Sequence, residues 1–238
     1  MFQKVIFCLF FLFIPLNRAA VNTVANSPFT SSDPVSELAV GEQLFEEMEL
    51  GGTVNFIAFR QAVAGYNRIK EKNKPILTLI DFSKPSTEKR FFVFDMEKKK
   101  LLYSSVVAHG RNSGENYATS FSNQYGSYKS SLGFYLTENT YQGGNGYSLI
   151  LNGLEKGIND KAKARSIVVH GAPYANPSVA ASGRLGRSLG CPALPTKLAR
   201  PIINTIKDGS VMFIYANNSS YLAQSDILKN VSAPMPAL

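Results

Sequence analysis

Residues 165–195 read RSIVVHGAPYANPSVAASGRLGRSLGCPALP. The apolar, β-branched run Arg165–His170 is a strand signal, and it delivers its histidine to the end of a sheet beside Gly171. Seventeen residues then separate His170 from Ser188, with Gly183, Gly186 and Gly190 among the turn-forming positions. Such a stretch folds back on itself, so Ser188-Leu189-Gly190-Cys191 can return to the strand end that carries His170.

Working outward, the same strand pattern recurs at 76–81 (ILTLID), 91–95 (FFVFD), 101–109 (LLYSSVVAH), 133–137 (GFYLT), 147–152 (YSLILN) and 211–215 (VMFIY). Of the 18 glycines, 13 lie between residues 101 and 200, as a loop-rich β domain requires. Glu97–Lys100 is read as a hairpin tip. Gly143-Gly144-Asn145-Gly146 is also read as a hairpin turn, because no Gly-Lys-Ser/Thr follows to make a phosphate loop. A helix from Thr196 to Lys207, divided at Pro201, is stopped by Asp208-Gly209. Seven strands with one inserted helix make a mainly β domain, a sandwich or barrel, over residues 75–217.

Upstream, the period is helical. Residues 37–50 form a short acidic helix, and Asn55–Lys70 places Phe56, Phe59, Val63, Tyr66 and Ile69 on one face. Residues 26–74 are therefore a linker and helical N-terminal segment, and 218–238 a C-terminal tail. At the start, Lys4 precedes the uninterrupted apolar run Val5–Leu16, with Ala19, Ala20 and Ala25 after it. That run is short for a bilayer span, which needs roughly 20 apolar residues. Residues 1–25 are read as a cleaved secretory signal, leaving no stable membrane insertion. The destination is the periplasm or cell envelope.

The 238-residue chain holds two cysteines and two histidines. These counts argue against a disulfide scaffold, a zinc finger or a cofactor-attachment motif, and neither a metal nor a cofactor is expected. Removal of the signal takes Cys8, leaving Cys191 as the one cysteine. Residues 101–238 carry twelve Lys and Arg against six Asp and Glu, while 26–100 are balanced. An anionic partner fits that excess. Export and the lack of an aromatic-interleaved basic stripe argue against nucleic acid.

A thiol attacks as thiolate, and an adjacent imidazolium lowers its pKa; the same imidazole supplies a proton to a leaving amine. Gly190 lets an acyl carbonyl approach the backbone, where the amides of Gly190 and Cys191 are oxyanion-hole candidates. Pro192 fixes the exit from the turn. His109-Gly110 echoes His170-Gly171 at another strand end, so His109 is a second candidate for the pocket wall, beside its reading as a hydrogen-bonded structural histidine.

The sequence resembles the L,D-transpeptidase (YkuD-type) catalytic domain, whose signature is a His followed by Ser/Thr-His-Gly-Cys. It is most similar to the branch called murein L,D-transpeptidase catalytic domain family. The stretches that carry the resemblance are VVAHGRNSGENYATSFSN (106–123), SSLGFYLT (130–137), VVHGAPY (168–174) and GRLGRSLGCPALP (183–195). It extends over roughly residues 75–217. Leu189 replaces the His of the signature. Ala193 stands where the wider family often has Asn or Arg, which leaves Arg184 and Arg187 to hold a substrate carboxylate.

The resemblance implies a YkuD-like fold with Cys191 as nucleophile, His170 as base and acid, and the Gly171 carbonyl orienting the imidazole. Ser188, Gly190 and the two arginines would line the substrate site. Peptidoglycan stem peptides are the implied partners. Cys191 would attack the third residue's carbonyl, expel D-alanine and pass the acyl group to an amine. Transfer to water, as an L,D-carboxypeptidase, is the alternative, and an idle cell-wall-binding module is another; loss of Cys191 or His170 would have favoured the last.

Overall fold

The computed structural model describes residues 34–231. The signal segment 1–25 and the first part of the linker lie outside the described residues, as does 232–238.

Eight strands form one sheet: β1 (Ile76–Asp81), β2 (Phe91–Asp95), β3 (Lys100–Ser105), β4 (Gly133–Gly143), β5 (Gly146–Gly153), β6 (Val168–Gly171), β7 (Ala193–Leu194) and β8 (Val211–Tyr215). Their spatial order is β3-β2-β1-β8-β4-β5-β6-β7. Most neighbours are antiparallel, while β1–β8 and β6–β7 run parallel. Beyond β3 the chain crosses to the other end of this order, where Ala108 bridges Ala193 and Gly110 bridges Ser188. The two edges therefore meet, and the sheet is a nearly closed barrel. Of the two architectures open from sequence, the barrel is the one formed.

β1, β2 and β8 are buried on both faces and read as continuous apolar runs. β6 begins at Val168 rather than Arg165, because Ser166 adopts φ +57° and breaks the extended backbone. β3 ends at Ser105, where the chain leaves β2 to cross the barrel end. β4 and β5 continue into an exposed hairpin closed by Gly144-Asn145, with Gly146 at φ +75°. The eighth strand, β7, escaped the sequence reading: two residues between Pro192 and Pro195 have no period to show.

Two helices precede the sheet, α1 (Pro34–Glu47) and α2 (Phe56–Arg68). Asn55 caps α2 by accepting from the amides of Ile57 and Ala58. Its buried face, with Phe59 edge-on to Phe94 at 5.0 Å, joins the core of the sheet. A short helix, α3 (Pro177–Ala180), lies in the loop before the cysteine. The inserted helix, α4 (Thr196–Ile206), runs unbroken through Pro201, where one interior hydrogen bond is forfeited, and buries Ile202, Ile203 and Ile206. The last helix, α5 (Ser219–Gln224), is tied down through Tyr221, which donates to buried Glu155, as does Ser225. Among the described residues, no helix is long and apolar enough to cross a membrane.

Candidate active site

Two backbone strips hold the cysteine turn. On one side the His170 amide donates to Pro192 O at 3.4 Å and the Ala172 amide to Leu194 O at 2.9 Å. On the other, Ser188 N donates to His109 O, Arg111 N to Ser188 O, and Ala108 exchanges two bonds with Ala193. The turn needs glycine twice. Gly190 has φ +127°, and a Cβ on Gly110 would lie 2.9 Å from Gly190 Cα and 2.6 Å from Tyr128 O. Ser130 completes the brace, its hydroxyl donating to Gly190 O at 3.0 Å while accepting from Gly110 N.

This packing brings His170 and Cys191 to one cavity of about 380 Å³. Arg165, Tyr174, Arg187 and Leu189 share its wall, with Asn145 from the β4–β5 hairpin. His170 Nδ1 is 3.1 Å from Gly171 O. A carbonyl only accepts, so Nδ1 carries the proton and Nε2 is left as the basic nitrogen. Burial lowers the imidazole pKa, and the Gly171 bond partly opposes this.

The thiol rests elsewhere. Cys191 Sγ accepts from Val168 N at 3.5 Å and faces Ser166 O at 3.6 Å. Among the described residues no hydrogen bond joins Sγ to His170. Burial raises the thiol pKa above its ordinary value, against smaller pulls from the Val168 amide and Arg165. The sequence reading expected an imidazolium to lower it. The two shifts run the other way and favour a neutral thiol beside a neutral imidazole.

Ser188 and Gly190 brace the turn: Gly190 N donates to Ser188 Oγ at 3.1 Å, and Ser188 Oγ donates to Cys191 O at 2.6 Å. The Gly190 amide is thus engaged, whereas the Cys191 amide has no hydrogen-bond partner among the described residues. Arg187 reaches the cavity wall, yet its Nη1 donates to Glu115, Arg111 O and Gly114 O. Arg184 pairs with Glu115 at 3.0 Å and is not part of the wall. Sequence reasoning missed Arg165 and Asn145. Their only signals were a basic residue at a strand start and an Asn at a hairpin tip.

His109 is not part of the cavity wall. Arg90 Nη2 lies 2.8 Å from its Nδ1, so Nδ1 accepts and Nε2–H points to Gly114 O at 3.3 Å. Burial, reinforced by Arg90, lowers its pKa from 6.5 to about 4. The folded state then binds this proton less tightly than the unfolded chain, so stability falls as pH drops from 6.5 toward 4. At about 1.4 kcal/mol per pH unit, the loss is about 3 kcal/mol. Denaturant unfolding across that range is expected to show it, and His109→Gln is expected to flatten the slope.

The L,D-transpeptidase catalytic-domain profile matches residues 51–215, more than half of the chain. The chain belongs to the L,D-transpeptidase catalytic-domain family. The match takes in α2 as well as the barrel. Among solved structures, the chain is similar to L,D-transpeptidase 3 from Mycobacterium tuberculosis, at 14% identity and TM-score 0.38, covering 59% of this chain and 61% of that one. It is also similar to an L,D-transpeptidase from Mycobacterium smegmatis, at 13% identity and TM-score 0.36, covering 60% and 59%. For the L,D-transpeptidase from Stackebrandtia nassauensis the figures are 13%, 0.36, and 77% and 79%. The chain thus spans about three fifths of the length of the mycobacterial chains. Among curated proteins, none matches it.

Proposed function

We propose that the protein is an exported peptidoglycan L,D-transpeptidase with Cys191 as nucleophile and His170 as general base and acid. One observation carries this reading: the cysteine and a histidine with its Nδ1 pinned on Gly171 O share one cavity. Because thiol and imidazole favour their neutral forms, the proton moves as the bond forms. This route requires the Cys191 side chain to turn away from Ser166 O toward Nε2. Sγ attacks the carbonyl of the third stem residue while Nε2 takes the thiol proton. The oxyanion is met by the Cys191 amide. Collapse breaks the peptide C–N bond, and the imidazolium protonates the departing D-alanine amine. An incoming stem amine then attacks the thioester, loses its proton to Nε2, and the C–S bond breaks to return the thiol.

Arg187 is assigned to a substrate carboxylate. Glu115 now holds it, but that side chain is 70% exposed, and such ion pairs contribute only about 0–1 kcal/mol. A stem carboxylate can displace it. Arg187→Lys, which loses the two-pronged grip, is expected to raise KM roughly tenfold. Arg184→Lys is expected to change little, and alkylation of Cys191 by a neutral reagent is expected to stay at the wild-type rate in both variants. Steady-state kinetics on a tetrapeptide stem reads the difference. The function itself is tested by incubating the protein with tetrapeptide muropeptides and weighing the products. Cross-linked dimers with free D-alanine support transpeptidation. Tripeptide alone would make water the acceptor, and unchanged muropeptide would reject the reading.

A further inference from the structure

Arg165 has a distinctive place. Its residue begins the segment Arg165–Val168 that cradles the thiol, since Ser166 O and Val168 N are the two groups facing Sγ. Its guanidinium reaches into the strap 122–131. Nη1 donates to Ser122 O at 2.8 Å and Ser131 Oγ at 2.6 Å, and Nη2 to Lys129 O at 2.7 Å and Ser127 Oγ at 3.3 Å. The strap in turn rests on the nucleophile turn. A Cβ on Gly190 would lie 2.9 Å from Lys129 O, and Ser130 Oγ donates to Gly190 O. One side chain therefore joins the cradle, the strap and the turn, and it also forms part of the cavity wall.

We propose that Arg165 is a positioning residue for Cys191: it clamps the strap 122–131 onto the cysteine turn and fixes a positive charge on the wall of the same cavity. The clamp needs the planar fork, because a lysine ammonium cannot satisfy two strap carbonyls and two hydroxyls on both sides of the guanidinium. The charge needs only a cation. The two contributions separate by substitution. Burial lowers the pKa of Arg165, yet an arginine stays protonated through the working range.

The titratable and charged groups that line the cavity with Cys191 are Arg165, His170, Tyr174 and Arg187. Tyr174 is pushed up to about 12 by burial and by Cys191, so it stays neutral. Arg187 is neutralised in part by Glu115. Among the described residues Arg165 has no carboxylate among its hydrogen-bond partners, and its charge favours the thiolate form of Cys191.

This inference rests on Cys191 being the nucleophile, but its test does not require turnover. The full chain and its Arg165→Gln and Arg165→Lys variants are treated with iodoacetamide, a neutral thiol reagent, over a range of pH. Activity on the tetrapeptide stem is measured in parallel. In Arg165→Gln the alkylation profile is expected to move up by about one pH unit, so alkylation near neutral pH slows roughly tenfold. In Arg165→Lys the profile is expected to stay within a few tenths of wild type while kcat falls about tenfold and KM changes less. An unmoved profile in Arg165→Gln overturns the proposal, as does a Lys profile displaced as far as the Gln one. If Arg165→Gln does not fold, Arg165→Lys decides: lowered kcat with the profile held supports the clamp, and wild-type kcat overturns it. Should wild type itself be inactive on stems, the alkylation profiles still read Arg165, and only the assigned reaction fails.

Discussion

Cys191→Ala is expected to lower turnover of a tetrapeptide stem by at least about 10⁴-fold, because the covalent route disappears with the sulfur. The fold is expected to survive. Removing Sγ breaks two weak contacts, with the Val168 amide and with Ser166 O, and leaves the bonds that brace the turn, which run through Ser188, Ser130 and the backbone. The change in unfolding free energy is expected to stay near about 1 kcal/mol. Product assays beside thermal unfolding check both halves. A variant that is folded and as active as wild type removes Cys191 from the mechanism.

The second large effect belongs to His170. Replacing it by Gln keeps a polar side chain on β6 but removes the proton acceptor at Nε2, and kcat/KM is expected to fall by about 10²–10⁴. The pH profile gives an independent reading. A base works when unprotonated, and burial lowers the pKa of this one, so activity is expected to persist below the pH at which an ordinary imidazole protonates. The acid limb is expected to vanish in His170→Gln. His109→Gln, remote from the cavity wall, is expected to cost far less activity while altering the acid stability. A greater loss at 109 than at 170 would exchange the two assignments.

The parts of the fold that the sequence displayed are those whose burial is continuous. β1, β2 and β8 agree with their apolar runs to the residue, because every position in them is buried. The second half of β4, Glu138–Gly143, is a polar, largely exposed hairpin arm and offered no apolar signal. β7 is two residues long and exists only because β6 and the crossing segment at Ala108 flank it. At the site, the His170–Gly171 contact is one that the family resemblance implied. The engagement of the Gly190 amide by Ser188 was not, since an amide's partner depends on how a glycine turn closes. Arg165 and Asn145 reach the cavity from 26 and 46 positions before Cys191, a distance over which no local pattern speaks.

The thiol's resting contacts give the chemistry its order. With Sγ facing Ser166 O and the imidazole neutral, the site stores no ready ion pair. In the proposed mechanism, proton transfer to Nε2 and attack on the carbonyl then belong to one step, and the reactivity of Cys191 toward small neutral reagents is expected to be modest until substrate turns the side chain.

The central claim is a covalent acyl-enzyme on Cys191, and intact-protein mass spectrometry reads it directly. Wild type mixed briefly with a tetrapeptide stem, in the absence of an added acceptor, is expected to gain the mass of the stem less D-alanine, with peptide mapping placing the adduct on residues 188–195. Cys191→Ala is expected to gain nothing. An adduct that persists in Cys191→Ala, or wild-type turnover with the adduct mapped to another residue, would contradict the account.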